Sequence, residues 1–365
     1  MKSKSALLLF LLGASLLAFV PNRACASLAP SSAQATPQTS SSRTNDMTLD
    51  VVVTDKAGRP VRGLDHQDFK VLDNKTPRTI GSFHAVAGES VHPDPPVEAY
   101  LLVDMINPSF VTIANERRNL IAYLKGTGAH LALPTSFVFL TDQGIKVQGQ
   151  STRDASVLLS NLDANPTVQP ATLPTAGYNR MMEVRLKSLQ GLDILAVDLA
   201  RKPGRKLVLW LSQGWPAFVV ESNQMSSKEA QQLFTYIVSL STVLRRADIT
   251  LYAVDPSGSS SNLFGEGGNN FKYQDFVKGV TSQKQVDNGD LLLQVIATQT
   301  GGKVLFGSND IARLIDQCVS DAGSFYELRF DAPHATHADE YHAIQIEMAK
   351  KGLKARTITG YYAQP

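Results

Sequence analysis

The sequence predicts an α/β protein: a doubly wound, mostly parallel sheet flanked by helices, plus a small β-sandwich built from N- and C-terminal strands. Three observations predict it. The run Val97–Asp104 is apolar almost throughout and stops on an acid, which suits a strand buried on both faces. From Tyr100 to about Ala322, strand-like and helix-like segments alternate, the pattern of a parallel sheet with crossover helices. Both ends of the chain instead show period-two alternation, as in Leu49, Val51, Val53 and again in Tyr326, Leu328, Phe330.

The first 26 residues read as an export signal. Lys2 and Lys4 precede an apolar centre, Ala6 to Val20, and Ala24-Cys25-Ala26 supplies a small-x-small cleavage pattern. Acylation at Cys25 is the alternative, disfavoured by the polar Asn22-Arg23 before it. The apolar run is shorter than the roughly 20 residues of a membrane span, and no later segment is long and apolar enough. The expected location is periplasmic or secreted. Losing Lys2, Lys4 and Arg23 takes the 35 basic residues to 32, against 33 acidic ones, so charge offers no case for nucleic acid. Losing Cys25 leaves Cys318 alone, which excludes an internal disulfide in the mature chain. Cys318 falls in the helical apolar pattern Ile311, Leu314, Ile315, Cys318 and reads as a buried thiol.

Residues 27–46, rich in Ser, Thr, Ala, Pro and Gln, read as a disordered linker. An N-terminal β part over 47–92 follows, with strands from Met47, over Phe69–Leu72 and over Thr79–Val86. His92 to Pro96 is a proline-rich joint. Within 97–322 the pattern predicts helix 111–125, strands 136–140 and 145–148 as a hairpin around Thr141-Asp142-Gln143-Gly144, and helix 155–162. Helix 180–201, strand 206–211, helix 226–246 and strand 249–254 come next, then a Gly/Ser/Asn-rich insert over 257–288. Helix 290–300, strand 303–306 and helix 309–322 complete this part. The C-terminal β part, 324–365, is expected to hold strands near 326–330 and 342–348 and a last one over 355–361. Neither β part has enough strands to stand alone, so the two are expected to join.

The order strand-Asp-loop-helix, hairpin strand, strand ending Leu211-Ser212-Gln213-Gly214 and strand ending Val254-Asp255 resembles a von Willebrand factor A domain. Leu49–Asp55, Asp68-Phe69-Lys70-Val71, Pro203-Gly204-Arg205-Lys206, Tyr252–Asp255, Thr300-Gly301-Gly302, Gly352–Arg356 and Gly360-Tyr361-Tyr362 resemble VWFA-related exported proteins abundant in acidobacteria. The resemblance implies a non-catalytic, protein-binding role at the rim of the A-like domain. It also implies where a cation would sit. A-type domains hold a divalent ion with Asp-x-Ser-x-Ser, a Thr and a further Asp, because a hard cation takes oxygen ligands. Here Asp104 keeps the first position, Ile106 and Pro108 replace the serines, and Gln213 stands where the further Asp belongs. Asp104, Asn107, Ser109 and Asp255 remain as a degenerate set for Mg or Ca; the alternative is that Asp104 caps its own loop.

Other constellations were weighed. His334, His337, Asp339, Glu340 and His342 form a zinc-like spelling in a polar turn, where side chains need not converge. Arg201-Lys202-Pro203-Gly204-Arg205-Lys206 is either an anion cradle or a helix end with its complementary cations. No phosphate loop or nucleophile elbow is present. Gln213, Trp215 and Phe218 are the expected partner-binding residues, with Trp215-Pro216-Ala217-Phe218 as an exposed aromatic anchor. The expected partner is an unidentified envelope or extracellular protein; cation-dependent adhesion and, less favoured, a hydrolase using Asp104 and Asp255 are the alternatives.

Overall fold

The strand Val97–Asp104 (β5) lies at the centre of a six-stranded sheet and is almost wholly buried, as its apolar run requires. The structure, a computed structural model, describes residues 46–87, 96–128, 130–164, 177–215, 225–257 and 272–365. The expected export signal, nearly all of the linker, Phe218 and residues 258–271 of the Gly/Ser/Asn-rich insert lie outside the described residues.

In chain order the described elements are strands β1 (Asp46–Thr54), β2 (Phe69–Asp73), β3 (Thr76–Arg78), β4 (Ile80–Ala87) and β5. Helix α1 (Phe110–Gly126), β6 (His130–Thr141), β7 (Gly144–Asp154), α2 (Ala155–Asp163) and α3 (Gly177–Leu199) follow. Then come β8 (Arg205–Leu211), α4 (Ser227–Arg246), β9 (Ile249–Val254), α5 (Leu293–Gln299), β10 (Val304–Leu305) and α6 (Ile311–Ala322). The chain closes with β11 (Ser324–Asp331), β12 (Glu340–Met348), β13 (Lys354–Arg356) and β14 (Gly360–Ala363).

The central sheet runs in the order β10-β9-β8-β5-β6-β7, parallel except for the edge strand β7. The antiparallel edge is the β6–β7 hairpin that the Gly144 turn predicts. Alternate residues of each strand feed two apolar layers. Tyr100, Leu102, Val208 and Trp210 pack with α3, α4 and α5. Leu101, Val103, Leu209 and Leu211 pack with α1, α2 and α6. Each such fully buried aliphatic contributes roughly 1.5–3 kcal/mol. Cys318, on α6, sits fully buried in the second of these layers, with its thiol pushed up by burial.

The two ends of the chain do share sheets. One has the order β13-β1-β11-β4 and the other β14-β12-β2-β3, with Met47, Leu49, Val51, Tyr326, Leu328 and Phe330 in the core between them. Period two leaves the polar side of β1 (Asp46, Thr48, Asp50) facing away from that core.

Several boundaries differ from expectation. The last strand predicted over 355–361 is two strands in different sheets, broken at Thr357-Ile358-Thr359 so that the chain crosses from one to the other. Helix α5 starts at Leu293, because Asn288–Leu291 forms a separate 3-10 turn capped by Asp287. The short β3 pairs with β2 through a turn at Asn74 and Lys75, both at positive φ, which hydrophobic periodicity does not reveal.

Candidate functional site

The C-terminal ends of β5, β8 and β9 form the rim where an α/β sheet of this topology holds its ligands. Asp104 ends β5 there and is fully buried. Its Oδ1 accepts from the backbone N–H groups of Ile106 and Asn107, both at 3.0 Å. Its Oδ2 accepts from Asn107 Nδ2 at 2.7 Å and from the Trp210 indole at 2.9 Å. Four N–H donors therefore surround one carboxylate, and they occupy the lone-pair directions that a cation would need.

The remaining residues of the degenerate set are committed to different degrees. Asn107 Nδ2 also donates to Ser188 Oγ on α3 at 2.9 Å. Ser109 is exposed and is the N-cap of α1, where its side chain accepts from Thr112 N. Asp255 is buried and accepts from Ser257 N at 2.9 Å, while its own N–H donates to Leu305 O. Among the described residues no group of three His, Cys, Asp or Glu side chains is placed to hold a metal ion. The donors on Asp104 therefore stand where a cation would need free lone pairs, while Asn107 Oδ1 is buried with no hydrogen-bond partner among the described residues.

One rim-side acid was missed by motif reading. Glu116, on α1, is buried, and neither carboxyl oxygen has a hydrogen-bond partner among the described residues. Burial first, then the charges of Asp104 and Asp255, hold it well above the usual carboxylate range. The signal was available: Ile113, Glu116, Leu120 and Leu124 share one helical stripe, which puts a carboxyl on the core face.

Gln213 is exposed at the end of β8, and its carbonyl accepts from Gln294 Nε2 at 2.8 Å. Trp215 corrects the expectation of an exposed aromatic anchor at that position. It is 3% exposed, meets Trp210 edge-on with ring centroids 5.5 Å apart, and donates its indole N–H to Leu291 O. An indole with a carbonyl partner inside the core is more stable there than in water. Gly214, at positive φ, makes the turn that sends Trp215 inward.

The other constellations are structural. His342 is buried on β12 with Nδ1 2.8 Å from Asp73 Oδ1, while His337 bonds its own turn, so the zinc-like spelling does not converge. In the basic run, Lys202 reaches Tyr100 and Glu98, and Arg205 pairs with Asp50 at 3.2 Å. These cations answer this chain's own acids.

No family model matches the chain, and no curated protein matches it. Solved structures do. Von Willebrand A-type folds are among them. Von Willebrand factor type A from Catenulispora acidiphila is 8% identical over 88% of this chain and 75% of its own, with a TM-score of 0.32. Proximal thread matrix protein 1 of the mussel byssus is 11% identical, covering 69% of this chain and 50% of its own, at 0.36. The PilB minor pilin of Streptococcus sanguinis is 9% identical over 62% of each chain, also at 0.36. This chain spans half the length of the mussel protein. Likeness this distant carries no argument about binding or activity; the fold stands on this chain's own strand order.

Proposed function

We propose that this chain is an exported, non-catalytic protein-binding module of the von Willebrand A type that engages its partner at the rim without a bound cation. The observation that carries the reading is the saturation of Asp104 by four N–H donors. In a cation-dependent module the ion bridges the rim and a carboxylate of the partner. Here Asn107 and Trp210 take over the electrostatic task internally, which leaves the rim surface to shape and hydrogen bonding. Gln213, exposed beside the buried Trp215, is the described residue best placed to meet a partner; Phe218 is proposed to continue that surface. The basic start, apolar centre and cleavage pattern of residues 1–26 support export. No helix among the described residues is long and apolar enough to cross a membrane.

The test is calorimetric titration of the chelator-stripped protein with Mg²⁺, Mn²⁺ and Ca²⁺, paired with photo-crosslinking from position 213 in cell envelopes. The expected results are no saturable heat and a saturable crosslink that survives chelator. Saturable cation binding that disappears in Asp104→Asn overturns the cation-free reading. A position-213 probe that meets no protein at any concentration overturns the binding role of the rim.

A further inference from the structure

At the opposite end of the central sheet from the rim, a polar cleft of about 330 Å³ runs between the sheet's base and the polar side of β1 and β11. That is the lower end of the roughly 300–1,000 Å³ of small-molecule sites. Its walls carry opposite charge. From β1 come Asp46 and Asp50; from the end of α4 come Arg245 and Arg246. Glu327 and Arg329 of β11 also line it, but they pair with each other at 2.8 Å. With Asp248 and Arg205 added, guanidinium and carboxyl groups are equal in number around the cleft. Such a lining favours neither an anion nor a cation; it orients a ligand that carries both charges.

Arg205 is the fixed point of the site. It is 1% exposed, and its guanidinium lies over the Phe325 ring, 4.6 Å from the centroid. Its Nε is divided between Thr250 Oγ1 and Asp50 Oδ2, each 3.2 Å away. One N–H does not serve both well, and Asp50 Oδ2 is buried with no hydrogen bond in good geometry among the described residues. Arg205 Nη1 is likewise buried with no partner among them. A charged donor and a charged acceptor are thus both unserved around one guanidinium, and leaving either so is costly. Arg245 adds a second under-used donor: its Nη1 meets the Met47 sulfur at 3.8 Å, a weak acceptor.

We propose that the cleft is a binding site for a small zwitterion of the α-amino acid class, its carboxylate held by Arg205 and Arg245 and its ammonium by Asp50. Each group then gains the partner it lacks. The guanidinium groups donate to the ligand carboxylate, and the ligand ammonium donates to Asp50 Oδ2. In an α-amino acid the two charges flank a single carbon, so both reach groups ranged around one guanidinium. A simple carboxylate would satisfy Arg205 and be repelled by Asp50; a simple amine would do the reverse. Ile249 and Ile358 supply apolar wall, which admits a small aliphatic side chain. The site is at the other end of the sheet from the rim and is independent of the partner-binding reading.

NMR titration of the full chain, read at the Arg Nε–Hε and Thr amide signals, tests this with glycine, L-alanine, acetate and methylammonium as probes. Glycine and L-alanine are expected to shift the Arg205 Nε–Hε signal saturably at millimolar concentration. Acetate and methylammonium are each expected to bind at least about tenfold more weakly, the size of one lost charged hydrogen bond. Arg245→Gln, at a half-buried position, is expected to weaken glycine binding about tenfold by the same reasoning. The comparison among probes on the wild-type chain decides the matter even if a variant folds poorly. No saturable shift with either amino acid up to about 50 mM would overturn the proposal and leave water as the occupant. Acetate binding as tightly as glycine would overturn it in favour of a plain anion site.

Discussion

The rim and the base of the same sheet bury carboxyl groups in opposite ways. At the rim, Asp104 is fully enclosed and each of its oxygens accepts two N–H bonds. At the base, Asp50 Oδ2 has the Arg205 guanidinium at 3.2 Å and no hydrogen bond in good geometry among the described residues. The difference teaches that burial alone does not set what an acid costs the fold; the number of donors aimed at it does. Two further acids bracket the comparison. Asp321, 1% exposed, is met by Lys303 at 2.8 Å, by Tyr252 and by Arg356 from the sandwich. Glu116, equally buried, is met by no donor among the described residues, and burial holds its carboxyl well above the usual range. The rim thus sets a carboxyl whose lone pairs are filled by N–H donors on the same side of the sheet as one that has no donor among the described residues.

The sharpest way to break the comparison is Asp104→Ala. It leaves the Trp210 indole and the Asn107 amide buried without their acceptor, and about 3–5 kcal/mol of unfolding free energy is expected to be lost in urea titration. A loss below about 1 kcal/mol would mean that these donors reach water and that the saturation argument is wrong. At the base the largest effect comes from backbone rather than charge. Gly204, at positive φ, lies so near Pro96 that an added Cβ would sit 2.0 Å from its carbonyl oxygen. Gly204→Ala is expected to cost about 2–4 kcal/mol and to displace Arg205 from Asp50. Thermal unfolding and titration of the cleft with glycine would report the two effects separately.

Much of this was legible in the sequence, and the misses have physical causes. Val97–Asp104 and Arg205–Leu211 announce themselves because a strand buried on both faces must be apolar throughout. At the rim, the lack of a hydroxyl or carboxylate side chain at Ile106, Pro108 and Gln213 was legible. What replaced them was not, since the Trp210 indole approaches Asp104 only through tertiary packing across 106 positions of sequence. Trp215 was misplaced for the same reason. Next to a Gly and a Pro it reads as a loop aromatic, yet a carbonyl 76 residues away completes its burial. The Arg205–Asp50 pair joins two β-strands of different sheets, so local pattern is silent on it.

Glu116 offers a smaller but cleaner perturbation, because nothing bonds to it. Glu116→Leu removes the unpartnered carboxyl and fills the same space with apolar atoms. It is expected to stabilise the protein by about 1–3 kcal/mol at pH 8. The gain should shrink on acidification. A carboxyl raised in the folded state costs least where it is protonated both folded and unfolded, below the ordinary range, and most where the unfolded chain ionises. Urea midpoints at pH 4.5 and pH 8 check both the sign and the trend; destabilisation at both would reveal a partner for Glu116 and with it a different rim.

The weakest expected effect sets the floor against which the others are read. Lys70 and Glu347 pair across β2 and β12 at 2.9 Å, the same chemistry as Arg205 with Asp50, but both side chains are about half exposed. Water already solvates each partner, and holding two long side chains together has an entropic cost, so Lys70→Met is expected to change stability by less than about 0.5 kcal/mol. A loss above about 1 kcal/mol at this position would show that burial is not what separates the acids of this protein, and the contrast between rim and base would then have to be rebuilt on strand pairing instead.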